Sequence, residues 1–177
     1  MALVVFLRGV NVGGHKTFRP SVLAKQLKAF DAVNIGAAGT FVIRKAVSQA
    51  KLRAALRRHL PFETAVMICS SLDIQKLIAS DPFAGHESRP DIVPFISVLA
   101  KRSKPKSPLP LNLPENGPWG VQILSCQGPF AIGRYRREMT AIGHLGKIDK
   151  VFGVPVTTRN WNTIVAIARV LERTKPA

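Results

Sequence analysis

Acidic residues are scarce in this sequence: 10 Asp and Glu stand against 26 Lys and Arg, a formal net charge of +16 and a sequence pI of about 11.0. Most basic side chains therefore have no side-chain carboxylate of their own. Cysteine is nearly absent too, and Cys69 and Cys126 form no CxxC, which excludes a zinc ribbon, a redox dithiol and a disulfide framework. No apolar run approaches the ~18 residues of a membrane span, and Arg8 ends the short run that begins at Ala2. No signal peptide or anchor is expected, and the cytoplasm is the expected compartment. The four histidines lack HxH or HxxxH spacing, and there is no GxSxG elbow. Neither a metal site nor a cofactor is expected, and no reaction can be read from a motif.

What is present is a folding composition. With 177 residues, 46% hydrophobic and 20% charged, the chain can bury a sizeable core as one domain or two small ones. Its basicity lies in two blocks. Residues 1–60 hold eleven basic and one acidic residue, residues 61–100 two and five, and residues 101–177 thirteen and four. Because Lys and Arg are interleaved with apolar residues, they belong to folded surfaces and not to a disordered arm. Such a field attracts nucleic acid, an anionic surface or phosphorylated small molecules.

Ala2–Arg8 reads as a buried strand, followed by a loop over Gly9–Lys16. A helix starts at Pro20-Ser21, with Val22, Leu23, Leu27 and Phe30 on one face. Asp31–Ala37 and Thr40–Ala46 form a hairpin about Gly39, Ser48 caps a helix reaching Leu60, and Thr64–Ser70 is another strand. This strand, helix, strand, strand, helix, strand order is the ferredoxin-like plait. Beyond a helix at Ser71–Ser80, a strand is expected at Ile92–Ala100, then a proline-rich extended loop, then a hairpin of Trp119–Gln127 and Phe130–Arg136. Helices are expected at Leu145–Phe152 and from Asn160 to Arg173, with a short extended piece at Val154–Val156 and fraying at Lys175–Ala177.

The fold class read from this pattern is α+β: two ferredoxin-like (α-β plait) subdomains, with antiparallel sheets and helices packed on one face. The expected division is 1–82 and 83–177, the second a diverged plait with its proline-rich loop at 101–118.

Two polar segments carry the functional reading. Gly9-Val10-Asn11-Val12-Gly13-Gly14-His15-Lys16-Thr17 is not a Walker loop, because His15 separates the glycines from Lys16 and Arg19-Pro20 delays the helix. It is either a looser anion-binding turn, with the Gly13 and Gly14 amides beside Arg8 and Lys16, or a turn that needs glycine for positive φ. Thr157-Thr158-Arg159-Asn160-Trp161-Asn162-Thr163 opens a helix. Thr158 or Asn160 can cap it, Arg159 offers a bidentate partner to phosphate, and Trp161 falls on the apolar stripe as a core anchor. Phe6 and Phe41 read as core, since their strands lack the paired aromatics of an RNA-recognition sheet. Arg134-Tyr135-Arg136-Arg137 is a basic strand end, suited to a phosphate backbone or to plain solvation.

Phe6–Gly14 and Gly153–Thr163 together resemble the bacterial family of domain of unknown function 1697, with Asp149-Lys150 as a further point of likeness. The resemblance implies two ferredoxin-like subdomains and no particular activity. The chain departs from that family in carrying Ala38-Gly39-Thr40 where relatives commonly have Ser-Gly-Asn, and in its proline-rich 103–118 segment, where relatives are expected to have a helix.

The leading expectation is a protein that binds nucleic acid or a phosphorylated small molecule. Arg8, Lys16 and Arg159 would supply charge, the Gly13 and Gly14 amides a nest, and Asn11, Thr158, Asn160 and Asn162 orientation. Two alternatives stand beside it: a small-molecule enzyme on an anionic substrate, with His15 or Lys16 as acid or base, and a dimerising module without a ligand. The sequence does not reveal an oligomeric state.

Overall fold

Alternating apolar strands and helices with one apolar face have to bury those faces in layers, and the computed structural model, which describes residues 1–173, does so twice. The fraying expected at Lys175–Ala177 lies outside the described residues. Residues group into two compact units, one of 1–76 with the described residues from 165 onward, the other Leu77–Ile164. Among the described residues, no helix is long and apolar enough to cross a membrane.

The first unit holds β1 (Leu3–Leu7), α1 (Pro20–Gln26), β2 (Ala32–Ile35), β3 (Thr40–Ile43), α2 (Gln49–His59), β4 (Val66–Ser70) and the start of α3 (Ser71–Ala79). Its strands lie in the order β2-β3-β1-β4, every neighbour antiparallel. Leu3, Val5 and Leu7 pack with Leu23 of α1, with Leu27 just past its end, and with Leu52 and Leu56 of α2. The Ser48 hydroxyl caps α2 by accepting the Lys51 amide at 3.2 Å. Val4 and Phe6, on the other side of the same strand, are also fully buried, as are Phe41 and Val42. A base cannot stack on these central strands, because both faces are covered.

The second unit repeats that order. It contains β5 (Ile92–Leu99), β6 (Leu111–Leu113), β7 (Val121–Gln127), β8 (Phe130–Arg136), α4 (Met139–Leu145), α5 (Ile148–Phe152), β9 (Val156–Asn160) and the first residues of α6 (Trp161–Glu172). The sheet runs β6-β7-β8-β5-β9 and is antiparallel throughout. With the edge strand β6 set aside, β7-β8-β5-β9 has the topology of β2-β3-β1-β4. Where the first unit has α1, the second has the proline-rich stretch. The core of this sheet joins Phe95, Val121, Ile123 and Val156 to Ile148 and Phe152 of α5 and Ala141 of α4.

Several local expectations are corrected. The helix expected at Leu145–Phe152 covers only Ile148–Phe152, and a further short helix, Met139–Leu145, precedes it. The proline-rich stretch is not wholly loop, since Leu111 and Leu113 turn into the core and Asn112 pairs with Gln122. The largest shift is at Val156–Asn160, which is a strand and not the start of a helix. Pairing of Thr157, Thr158 and Arg159 with Val98, Ser97 and Ile96 extends it to the edge of the helix.

Candidate functional site

The Arg8–Lys16 loop folds as a small hairpin. Asn11 N–H donates to Lys16 O at 3.2 Å, and His15 N–H donates to Val12 O at 3.1 Å. Gly13 and Gly14 occupy the tip with φ of 58° and 76°. Two successive left-handed residues are the signature of a type I′ turn, which explains the glycine pair. Gly13, Gly14, His15 and Lys16 are exposed. Asn11 is not: its amide nitrogen donates to Ala37 O at 2.9 Å, while its Oδ1 accepts the Phe18 amide at 2.9 Å. The side chain clamps the hairpin to the β2–β3 turn and the entry of α1. The Arg8 backbone is fixed as well, its carbonyl accepting the Thr64 hydroxyl and its amide donating to Ala65 O at 3.0 Å.

The C-terminal segment divides by strand alternation. Thr158 shares a hydrogen bond of 2.7 Å with the Ser97 hydroxyl on the neighbouring strand. Arg159 is buried, with 7% of its surface exposed. One of its guanidinium nitrogens donates to Thr157 Oγ1 at 2.8 Å and to Thr158 O at 2.9 Å. Burial pulls its pKa down to about 10, so the group stays charged at neutral pH. Asn160 is the cap of α6, its Oδ1 accepting both the amide and the hydroxyl of Thr163 at 3.0 and 2.9 Å. Asn162 is exposed on the first turn. Most of these polar groups are engaged within the fold, and Gly13, Gly14, Lys16, Asn160 and Asn162 are the members of the expected set that face solvent, Asn160 with its Oδ1 already used in the cap.

A basic and aromatic surface occurs elsewhere, on the strand end of β8. Tyr135 packs against Phe95, so Arg134 and Arg136, at alternate positions, turn to the opposite face. Arg134 Nε donates to Gln122 Oε1 at 2.8 Å, and Gln122 Nε2 donates to Asn112 Oδ1 at 2.9 Å, a polar row across β8, β7 and β6. Arg136 Nε donates to Trp119 O at 2.9 Å. Both guanidinium carbons lie against the Trp119 ring, 5.1 Å from its centroid for Arg134 and 4.3 Å for Arg136. Cation–π contact and the Nε bonds hold two planar donors in fixed orientations, their terminal nitrogens left for other acceptors. The nearest carboxylate to Arg136 is Asp91, at 3.9 Å and already paired with Arg89 at 2.9 Å.

Arg134 also borders a cleft of about 220 Å³, lined by Phe83, His86, Glu87, Pro94 and Trp161 among others. Trp161 is therefore not a core anchor. As the first residue of α6 it overhangs the helix end and meets Phe83 edge to face, centroids 5.2 Å apart. A wider cleft of about 940 Å³ in the first unit is lined by Arg53, Arg57, Phe62, Glu63 and Thr64, with Arg53 tied to Val66 O at 2.7 Å. The sequence signal for the β8 surface was the alternation of Arg134 and Arg136. Nothing in the sequence ties Trp119 or Phe83 to it.

Fold and surface together define an α+β protein of two ferredoxin-like subdomains, bearing a basic patch built around tryptophan. The chain belongs to the family described as "Protein of unknown function (DUF1697)", whose model matches residues 1–108. That match includes the N-terminal motif. Among solved structures the chain is similar to the conserved bacterial protein SP0830 from Streptococcus pneumoniae, with 16% identity, coverage of 96% of this chain and 98% of that one, and a TM-score of 0.59. At that identity the likeness shows the fold alone. No curated protein gives a significant match.

Proposed function

We propose that the protein binds a phosphate-bearing ligand, nucleic acid in particular, through the basic face of its second subdomain. The observation that supports this reading is the pair Arg134 and Arg136, both stacked on Trp119 and both held by their Nε atoms. Ordering two arginines costs side-chain entropy; here the fold has already met that cost, and the guanidinium groups offer further donors suited to phosphate oxygens. A net charge of +16 adds long-range attraction. Exposed Lys16 on the N-terminal hairpin supplies a further basic element in the first subdomain.

The test is fluorescence anisotropy with single-stranded RNA, single-stranded DNA and duplex DNA over a salt series, for the wild type, Arg134→Ala and Arg136→Ala. Each contact with a single-stranded phosphate contributes about 0.7 to the slope of log K against log salt, so each variant is expected to flatten it by about that amount. Slopes identical in all three proteins, or no binding at ~150 mM salt, would overturn the proposal.

A further inference from the structure

The cleft beside Arg134 has a polarity of its own. It is lined by Arg134, by Phe83 and Trp161, whose rings meet edge to face, by His86, and by two residues that bear carboxylates, Asp81 and Glu87. A phosphate drawn to Arg134 is repelled from those carboxylates and stays outside. A flat, neutral group that brings N–H donors is suited to enter, because it offers a face to the aromatic walls and hydrogens to the carboxylate oxygens. The cavity of about 220 Å³ is below the size of a typical drug-sized pocket but roomy enough for one heterocyclic base.

We infer that this cleft receives a single unpaired nucleobase carrying an exocyclic amino group, while its phosphate rests on Arg134 and Arg136. The inference rests on the phosphate-binding reading above and adds base selectivity to it. Uracil and thymine present carbonyl oxygens where cytosine and adenine present amino hydrogens, and those oxygens would face carboxylates. The expected order of affinity is oligoadenylate and oligocytidylate above oligouridylate, with an abasic phosphodiester oligomer of equal length weakest. A base stacked in a protein site contributes about tenfold or more in affinity, so the abasic oligomer is expected to bind about tenfold more weakly than oligoadenylate. A duplex, whose bases are already stacked and paired, gains nothing from the cleft.

The experiment measures anisotropy titrations of the four labelled oligomers against the full chain, then against Glu87→Gln and Phe83→Leu. Glu87 is exposed, so its substitution leaves the fold intact. Glu87→Gln is expected to narrow the gap between oligoadenylate and oligouridylate without weakening the abasic oligomer; Phe83→Leu is expected to weaken all base-bearing oligomers and spare the abasic one. If all four oligomers bind the wild type equally, the base site is wrong and the basic face alone remains. If none binds, the phosphate reading fails with it. A preference for oligoadenylate that Glu87→Gln leaves untouched also overturns the carboxylate assignment.

Discussion

Arg136 and Trp119 are joined twice: the arginine Nε donates to the tryptophan carbonyl at 2.9 Å, and its guanidinium carbon lies 4.3 Å from the centre of the same residue's indole. One contact fixes direction and the other fixes the plane. An arginine held this way behaves as part of the scaffold and not as a solvated charge.

The planarity gives a first prediction. Arg136→Lys keeps the charge but loses the forked donor set and the ring stacking. It is expected to bind single-stranded RNA more weakly than wild type by about fivefold, on the order of 1 kcal/mol for a lost cation–π contact, while the salt slope stays near that of the wild type. Anisotropy at two salt concentrations checks this; wild-type affinity in Arg136→Lys would mean that charge alone matters at the position.

Arg159 is expected to behave in the opposite way. Buried on β9 and bonded to Thr157 and Thr158, it acts on stability. Arg159→Ala leaves buried hydrogen-bonding groups unmatched, a loss of about 1–3 kcal/mol. Thermal unfolding followed by circular dichroism should show a fall of several degrees, by roughly 2–4 °C for each kcal/mol in a chain of this size. The salt slope for nucleic acid should not move, and a flattened slope would instead make Arg159 a ligand contact.

The two cysteines are expected to separate cleanly in a thiol titration. Burial raises the Cys69 thiol far above its ordinary range, aided by the nearby Asp73 charge, so it stays protonated and shielded. Cys126 is exposed, and partial desolvation raises its pKa too. A colorimetric disulfide reagent at mildly alkaline pH should therefore react with one thiol in the native protein and two in denaturant. Rapid reaction of two native thiols would contradict the packing around β4.

A pair of glycine substitutions separates backbone conformation from crowding in the β2–β3 turn. Gly36 and Gly39 both have positive φ, 70° and 75°. A Cβ on Gly36 meets nothing within 4 Å, whereas one on Gly39 would lie 2.6 Å from Val10 Cγ2 and 2.9 Å from Leu7 Cβ. Gly36→Ala should cost about 1 kcal/mol from the strained backbone, and Gly39→Ala about 1–3 kcal/mol more from overpacking. Urea denaturation midpoints test the order; equal midpoints would mean that β1 yields easily.

Much of the architecture was legible because apolar period and turn residues agree. Ala2–Arg8, Ser48 and the hairpin turn at Gly128-Pro129 each mark their element without ambiguity; element order gives the first plait, and the second reads as a diverged copy of it. Thr157–Asn160 misled because threonine serves both as a helix cap and as a strand residue, and the asparagine that does cap the helix follows directly; only pairing with β5 decides between them. Trp161 followed the stripe of α6 but sits at the helix end, where a stripe no longer guarantees core. The glycine turn at Gly13-Gly14 was visible as a turn. What Asn11 does was not, since its partners Ala37 and Phe18 are reached only through the fold. The stacking of Trp119 on two arginines depends on side-chain placement that no spacing rule conveys.

The first unit draws on residues 1–76 and again on residues from 165 onward, and this has a consequence for synthesis on the ribosome. Domains usually fold as they emerge, N-terminal part first. Here the earliest-made sheet waits for one of the latest-made helices, while the whole second sheet is translated in the interval. Until then the nascent first sheet is short of Ile167 and Leu171, both buried in the finished molecule. Pausing within codons 77–164 would prolong that unfinished state, and such pauses would favour capture by chaperones over productive folding.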